Sequence, residues 1–81
     1  AGNNHVISLK DVAKHSSSED IWIAIGGEVY DMTRYQEEHP GGKKVLQKLA
    51  GKDATKQFRK YHRDAMLLRF KDELRVGVLG E

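Results

Sequence analysis

Two of the four histidines, His39 and His62, stand in sequence surroundings suited to binding a ligand. His39 precedes Pro40, and a residue before proline is held in an extended conformation. Gly41 and Gly42 leave room for a flat group to approach the backbone. His62 follows 23 residues after His39, behind two short predicted helices. If these helices leave and return, both imidazoles face one slot.

The predicted walls of this slot are almost entirely apolar. They consist of Val45, Leu46, Phe58, Ala65, Met66 and Leu68. By spacing alone, a histidine pair is more often surface or core than ligand. A zinc site needs three or four protein ligands, whereas haem brings four nitrogens and needs only one or two axial ligands. The slot therefore favours haem, and the absence of cysteine excludes covalent C-x-x-C-H attachment.

Length and composition indicate one small globular domain. The chain has 81 residues, 32% of them charged and 38% apolar. It shows neither a signal-peptide pattern nor the roughly 20-residue apolar run that a transmembrane helix requires. Without cysteine, a reducing compartment is the simplest assumption. We therefore expect a cytoplasmic location, or the cytoplasmic face of a membrane if an anchor has been removed.

The N-terminal part predicts one short helix followed by a β-hairpin. Ser8 opens a capping box that begins the helix, and residues 16–18 end it. The inner face of this helix is expected to hold Leu9, Val12 and Ala13. Residues 21–25 form an apolar strand, Gly26-Gly27 suits a two-residue turn, and residues 28–31 return as a second strand.

The rest of the chain predicts short helices and a closing strand. The predicted elements are a helix over 34–38 capped by Thr33, one over 43–50 ending at Gly51, one capped by Asp53, one over 64–70, and a strand over 74–79. Helices this short are weak alone, and a flat apolar cofactor would give them a common packing surface. The predicted fold is α+β, a small mixed sheet with short helices forming a haem crevice.

Several motifs resemble the cytochrome b5 family. They are His39-Pro40-Gly41-Gly42, Ala50-Gly51-Lys52-Asp53-Ala54-Thr55, Phe58 before His62, Trp22 and Val29-Tyr30-Asp31. The resemblance extends from about Ser8 to Leu79, nearly the whole chain. It implies a single cytochrome b5-like domain over 1–81, with a core at about 8–79.

This resemblance implies one non-covalent haem b with His39 and His62 as its axial ligands. The implied crevice is lined by Ile25, Met32, Tyr35, Val45, Leu46, Phe58, Ala65, Leu68 and Leu74, with Pro40, Gly41 and Gly42 beside it. We expect the carbonyls of Gly42 and Phe58 to accept the second imidazole N–H groups, and Tyr61 and Arg63 to face the propionates. With both axial positions filled, the implied function is electron transport rather than catalysis.

Two departures from the family pattern bear on the partner. The His39–His62 spacing is one residue shorter than in the microsomal form, and resembles domains fused to nitrate reductases, flavin-linked lactate dehydrogenases and fatty-acid desaturases. Lys43 and Lys44 stand where relatives that dock basic reductases carry acidic residues. Residues 43–63 carry a net charge of +7. We expect redox partner proteins or a tethered redox domain, docking an acidic surface near Lys43 and Lys44.

Other interpretations were weighed against this one. The basic segment is consistent with nucleic-acid or acidic-membrane binding, but it has no nucleic-acid-reading motif and no amphipathic anchor. A haem-free ligand-binding module, or a domain excised from a multidomain oxidoreductase, are further alternatives. His5 and His15 are expected to be exposed without partners, and Trp22 and Tyr30 to belong to the core.

Overall fold

Short strands at both ends of the chain enclose a helical middle. The structure is a computed structural model that describes residues 5–35, 43–61 and 73–80. Its elements are β1 Val6–Ile7, α1 Leu9–Val12, β2 Ser16–Ser17, β3 Asp20–Ile25, β4 Glu28–Asp31, α2 Lys43–Leu49, α3 Thr55–Tyr61 and β5 Arg75–Leu79. The predicted helices over 43–50 and after Asp53 and the closing strand are confirmed. Most of the predicted helix over 34–38, and all of that over 64–70, lie outside the described residues.

The five strands form one mixed sheet in the order β1-β5-β4-β3-β2. β1 pairs parallel to β5, and the other neighbours are antiparallel. The β3–β4 hairpin turns at Gly26 and Gly27, whose φ angles are 60° and 82°. Two consecutive positive φ angles define the tight turn that matches the twist of a hairpin. The predicted α+β class, sheet and hairpin are confirmed.

Helix α1 begins as predicted but buries less than predicted. The Ser8 hydroxyl accepts a hydrogen bond from the Asp11 amide at 3.1 Å. Val12 is fully buried, whereas Leu9 is 47% exposed and Ala13 is exposed. The prediction was wrong for Leu9 and Ala13, because a four-residue helix is barely one turn and presents only one position squarely to the sheet.

Residues 16–18 were predicted to end the first helix. This prediction was wrong, because α1 already ends at Val12. Instead Ser16 and Ser17 form β2 and pair antiparallel with the start of β3. Beyond this pairing, the segment after α2 covers the same edge of β3. The Gly51 amide donates to the Trp22 carbonyl at 2.7 Å, and the Ala54 amide donates to the Ala24 carbonyl at 2.8 Å. β3 is therefore an interior strand along most of its length.

Alternation along the strands divides the core between the two faces of the sheet. The larger cluster contains Ile21, Ile23, Ile25, Tyr30, Met32, Leu46, Ala50 and Ala54. The smaller cluster contains Ile7, Val12 and Val29, with Trp22, Val76 and Leu79 partly buried against it. Tyr30 is fully buried and Trp22 is partly buried, which confirms both as core residues. The helices α2 and α3 pack on β3 and contribute to the larger cluster.

Candidate functional site

Six side chains predicted to line the crevice lie together on one face of the sheet. Ile25, Met32 and Leu46 are buried, and Tyr35, Phe58 and Leu74 are partly buried against them. We call these six residues the crevice cluster. They come from β3, the residue after β4, the turn beyond it, α2, α3 and the residue before β5. The fold thus brings together apolar side chains that are far apart in sequence.

Small residues allow the two helices to approach the sheet closely. Ala50 and Ala54 are 5% and 1% exposed, and they lie at the end of α2 and the start of α3. Gly51 between them has a φ of 77°, and a Cβ added there would lie 2.8 Å from the Ser16 Cβ. Only glycine fits this backbone conformation without strain. The close approach of this segment holds Leu46 and Phe58 over β3.

A hydroxyl relay ties α3 to the hairpin turn beneath the crevice cluster. The Thr55 hydroxyl accepts from the Gly26 amide at 2.9 Å and donates to Asp53 Oδ1 at 2.6 Å. The same carboxylate oxygen accepts from the Thr55 amide at 3.0 Å. Asp53 therefore caps α3 as predicted, and the Thr55 hydroxyl adds a link to the hairpin turn that was not predicted.

A similar relay stands at the other end of β3. The Thr33 hydroxyl accepts from the Ile21 amide at 2.9 Å and donates to Asp31 Oδ1 at 2.6 Å. It fixes the exit from β4, where Met32 and Tyr35 join the crevice cluster. The signal available in the sequence was the repeated Asp-x-Thr spacing at 31–33 and 53–55.

A buried polar contact joins β4 to β5 beside Leu74. The Tyr30 hydroxyl donates to Glu28 Oε2 at 2.7 Å, and Arg75 Nε donates to Glu28 Oε1 at 2.9 Å. Burial, followed by the hydrogen bond to Glu28, raises the pKa of Tyr30 well above its usual value. The phenol therefore stays protonated and donating across the ordinary pH range. This contact anchors the strand that carries Leu74 into the crevice cluster.

His15 is not the exposed, unpartnered residue that was predicted. Its ring stacks on Trp22, with the ring centroids 3.6 Å apart and the planes 9° apart. Its Nδ1 lies 2.9 Å from both carboxylate oxygens of Asp20. The prediction failed because the turn after α1 brings β2 back against β3, which places His15 beside Trp22. His5 is exposed, as predicted, but it is not without partners, because its carbonyl accepts a hydrogen bond from the Val78 amide.

The remaining predicted site residues cannot be located in the same way. Nine of them lie outside the described residues: His39, Pro40, Gly41, Gly42, His62, Arg63, Ala65, Met66 and Leu68. Val45 and Tyr61 belong to α2 and α3, but their side chains lie outside the description. Within residues 5–35, 43–61 and 73–80, no three His, Asp or Glu side chains group as metal ligands, and every buried polar side-chain atom has a partner.

The crevice cluster fits a flat apolar group such as haem. Its members are aliphatic or aromatic, and three of them are only partly buried. A porphyrin packs through dispersion and apolar burial, and it needs few polar contacts away from its propionates and iron. The lining is therefore compatible with haem.

Comparison with known sequences decides the family. Residues 8–80 match the family described as "Cytochrome b5-like Heme/Steroid binding domain". The chain belongs to the cytochrome b5 family. It is a cytochrome b5-like haem-binding electron-carrier domain, and the cofactor of such domains is haem b. The match covers nearly the same stretch as the motifs that resemble this family, and the family prediction is confirmed.

Individual relatives agree with this cytochrome b5 assignment. A Neurospora crassa protein provisionally named a cytochrome b5 is 46% identical over 78 residues, covering 96% of this chain and 94% of that protein. The solved cytochrome b5 of Ostreococcus tauri virus 2 has a TM-score of 0.85 at 40% identity, covering 91% and 95% of the two chains. Ectothiorhodospira vacuolata cytochrome b558 has a TM-score of 0.81 at 31% identity, covering 94% and 99%.

Other relatives of this cytochrome b5 domain are longer. The chain spans 55% of a rice cytochrome b5, which is 43% identical over 93% of this chain. It spans 12% of an Emericella nidulans NADH-cytochrome b5 reductase-like protein and 12% of a Dictyostelium discoideum Delta(5) fatty acid desaturase. Cytochrome b5 domains thus occur both in small proteins and in larger oxidoreductases. Among the described residues, no helix is long and apolar enough to span a bilayer.

Proposed function

We propose that the domain holds its haem b between His39 and His62 and passes single electrons from a reductase, or a fused redox domain, to an acceptor. The observation that carries this proposal is the crevice cluster. His39 follows Tyr35 by four residues, and His62 follows Phe58 by four. Four residues span at most about 14 Å, so each histidine is tethered within that reach of a cluster member.

The proposed ligand pair determines what the site can do. Bound haem supplies a reversible one-electron couple between ferric and ferrous iron. With His39 and His62 holding the iron, oxygen and substrates would have no place to bind the metal, and the crevice cluster would shield the bound haem from water. Carbonyls of Gly42 and Phe58 would orient the two rings, and Tyr61 and Arg63 would hold the propionates. These roles favour transfer over catalysis.

Substitution of each proposed ligand tests this arrangement. We expect the purified protein to show a six-coordinate haem spectrum that sharpens when dithionite reduces it. His39→Ala and His62→Ala should each open one axial position, so that the reduced proteins bind carbon monoxide. His5→Ala is the matched control and should keep the wild-type spectrum. Absence of carbon monoxide binding in both variants, or its presence in the control, would contradict the ligand pair.

A haem-free ligand-binding module is the alternative, and the family description itself names steroids beside haem. The presence of both His39 and His62 favours haem, because a steroid site has no need for two imidazoles. Hemin and a steroid such as progesterone can be titrated separately into the protein after haem extraction. Uptake of the steroid without uptake of hemin would establish the alternative.

The lengths of the relatives support two kinds of electron donor and acceptor. We propose that they are either separate proteins or domains tethered to this one, as the reductase-like and desaturase relatives suggest.

We also propose that the domain works in the cytoplasm or at the cytoplasmic face of a membrane. Fractionation of cells that express the full-length tagged gene product tests the location. Recovery in a lumenal or secreted fraction would contradict it.

A further inference from the structure

Every fourth residue from 44 to 60 is a lysine, across α2, the turn after it and α3. We call these five lysines, together with Arg59, the basic face. Its members are Lys44, Lys48, Lys52, Lys56, Arg59 and Lys60. Residues four apart on a helix lie on the same side. The repeat therefore gives each helix one cationic stripe, and Lys52 stands between the two stripes.

The basic face is open to solvent. All six members are exposed. The ion pairs found within the described residues involve Lys14, His15 and Arg75. None of them includes Lys44, Lys48, Lys52, Lys56 or Arg59. The only acidic residue between 43 and 61 is Asp53, and its Oδ1 already accepts two hydrogen bonds from Thr55. The positive charge of these five side chains is therefore exposed, and the segment 43–61 itself holds a single acidic residue to offset it.

The basic face and the crevice cluster share the same two helices. Leu46 on α2 is buried in the cluster, while Lys44 and Lys48 on that helix are exposed. On α3, Phe58 packs against the cluster while Lys56 is exposed. A partner that binds the basic face is therefore separated from the crevice cluster by a single layer of helix.

We propose that the basic face is the docking surface for a redox partner protein whose own docking surface is acidic. This inference rests on the proposed function, because it concerns the partner of an electron carrier. It extends the expected contact at Lys43 and Lys44 over both helices and the turn between them. Complementary charge accelerates association and still allows rapid release, which suits a carrier that must turn over.

The composition of the face favours a protein partner over a membrane or nucleic acid. The large apolar side chains exposed in the described residues are Val6 and Leu9, which belong to β1 and α1. The basic face thus offers no apolar group for insertion into a bilayer. Its aromatic neighbour Phe58 packs inwards, so none of its described side chains is an exposed aromatic ring for stacking on bases.

Charge reversal on both helices tests the proposal. The test variant is Lys48→Glu/Lys56→Glu, with one change on each helix and none in the crevice cluster. The matched control is Lys10→Glu/Lys14→Glu, in α1 and in the turn after it, which alters the net charge equally at exposed positions. Flavodoxin hydroquinone serves as an acidic electron donor, and ferric cytochrome c as a basic acceptor. Stopped-flow absorbance follows electron transfer at about 10 mM and about 200 mM salt, where charge screening differs strongly.

For wild type we expect the rate with flavodoxin to fall as salt is added. At low salt the test variant should be slower by about tenfold or more, whereas the control should stay within about twofold of wild type. The rate with cytochrome c should change in the opposite direction in the test variant. The proposed docking surface would be overturned if both variants were slowed equally, or if the rate with flavodoxin did not depend on salt concentration.

Two further measurements separate the possible failures. Absence of a haem spectrum would count against the proposed function, while an NMR titration of the purified protein with flavodoxin still locates any docking at residues 44–60. Phosphatidylserine vesicles and a short DNA duplex are tested at physiological salt. The proposal of a protein partner would be overturned if the domain bound vesicles or DNA while flavodoxin caused no shift in the amide signals of α2 and α3. The ligand that bound would then be the favoured one.

Discussion

Thr33 and Thr55 occupy equivalent positions at opposite ends of β3. Each hydroxyl accepts a backbone amide at 2.9 Å, from Ile21 at one end and from Gly26 just beyond the other. Each also donates at 2.6 Å to an aspartate two residues earlier. The strand at the centre of the crevice wall is thus held at both ends by the same short unit, and one of these units also starts α3.

The Thr55 relay should contribute measurably to stability. Thr55→Val keeps the shape but removes the hydroxyl, which leaves the Gly26 amide and Asp53 with one partner fewer. We expect a loss of about 1 kcal/mol in the free energy of unfolding. Thr55→Ser retains the hydroxyl and should recover most of that loss. Urea unfolding followed by circular dichroism measures both, and equal stability of the two variants would argue against the relay.

Gly51 and Gly27 allow backbone strain to be separated from steric overlap. Both have positive φ angles, 77° and 82°, but an added Cβ at Gly27 meets nothing within 4 Å. Gly27→Ala should therefore cost only the conformational strain, about 1 kcal/mol. Gly51→Ala adds overlap with Ser16 and Ala13, and should cost at least about 1 kcal/mol more. Thermal unfolding of the two variants checks the order, and equal losses would contradict a steric role for Gly51.

Tyr30 should make the fold less stable in alkali. Its pKa is raised in the folded protein, so folding favours the protonated phenol. That contribution is fully present below the unfolded pKa of about 10 and is lost as the pH rises towards the folded pKa. We expect the loss of unfolding free energy between pH 8 and pH 10.5 to be smaller in Tyr30→Phe than in wild type. The same alkaline loss in both proteins would exclude Tyr30 as its source.

Leu74 and Leu79 provide a matched pair for the proposed haem site. Both are partly buried leucines; Leu74 directly precedes β5 and Leu79 is its last residue. Leu74 packs against the crevice cluster's side of the sheet and Leu79 against the other. Leu74→Ala should speed hemin transfer to excess apomyoglobin about tenfold, since lost apolar contact of about 1.4 kcal/mol has that effect. Leu79→Ala should not change the transfer rate. Equal rates in both variants would indicate that Leu74 does not touch the haem.

The sequence predicted those elements that have a local signal. The apolar run at 21–25, the Gly26-Gly27 turn and the Ser8 cap depend on neighbouring residues only, and each is found where it was expected. The packing of Ile25, Met32 and Leu46 into one cluster was anticipated from family resemblance rather than from periodicity. The ligand positions themselves stay predictions.

The contacts that were not predicted join segments that are distant in sequence. The stacking of His15 on Trp22 depends on a turn that returns the chain to β3, and neither residue signals the other. Likewise, residues 51–54 pair with β3 without any strand-like alternation in their sequence. These residues belong to a motif of the family, and the backbone hydrogen bonds show its physical role, which is to cover the edge of β3.

The parallel pairing of β1 with β5 bears on how such a domain is reused in evolution. Val6 is aligned with Val78, and Ile7 with Leu79, so the chain enters and leaves the sheet at adjacent points. A domain whose chain enters and leaves at adjacent points can be joined to another chain, or inserted into one, without distorting the protein that receives it. Gene fusion can therefore join this domain to new partners without changing the residues that line the cofactor pocket.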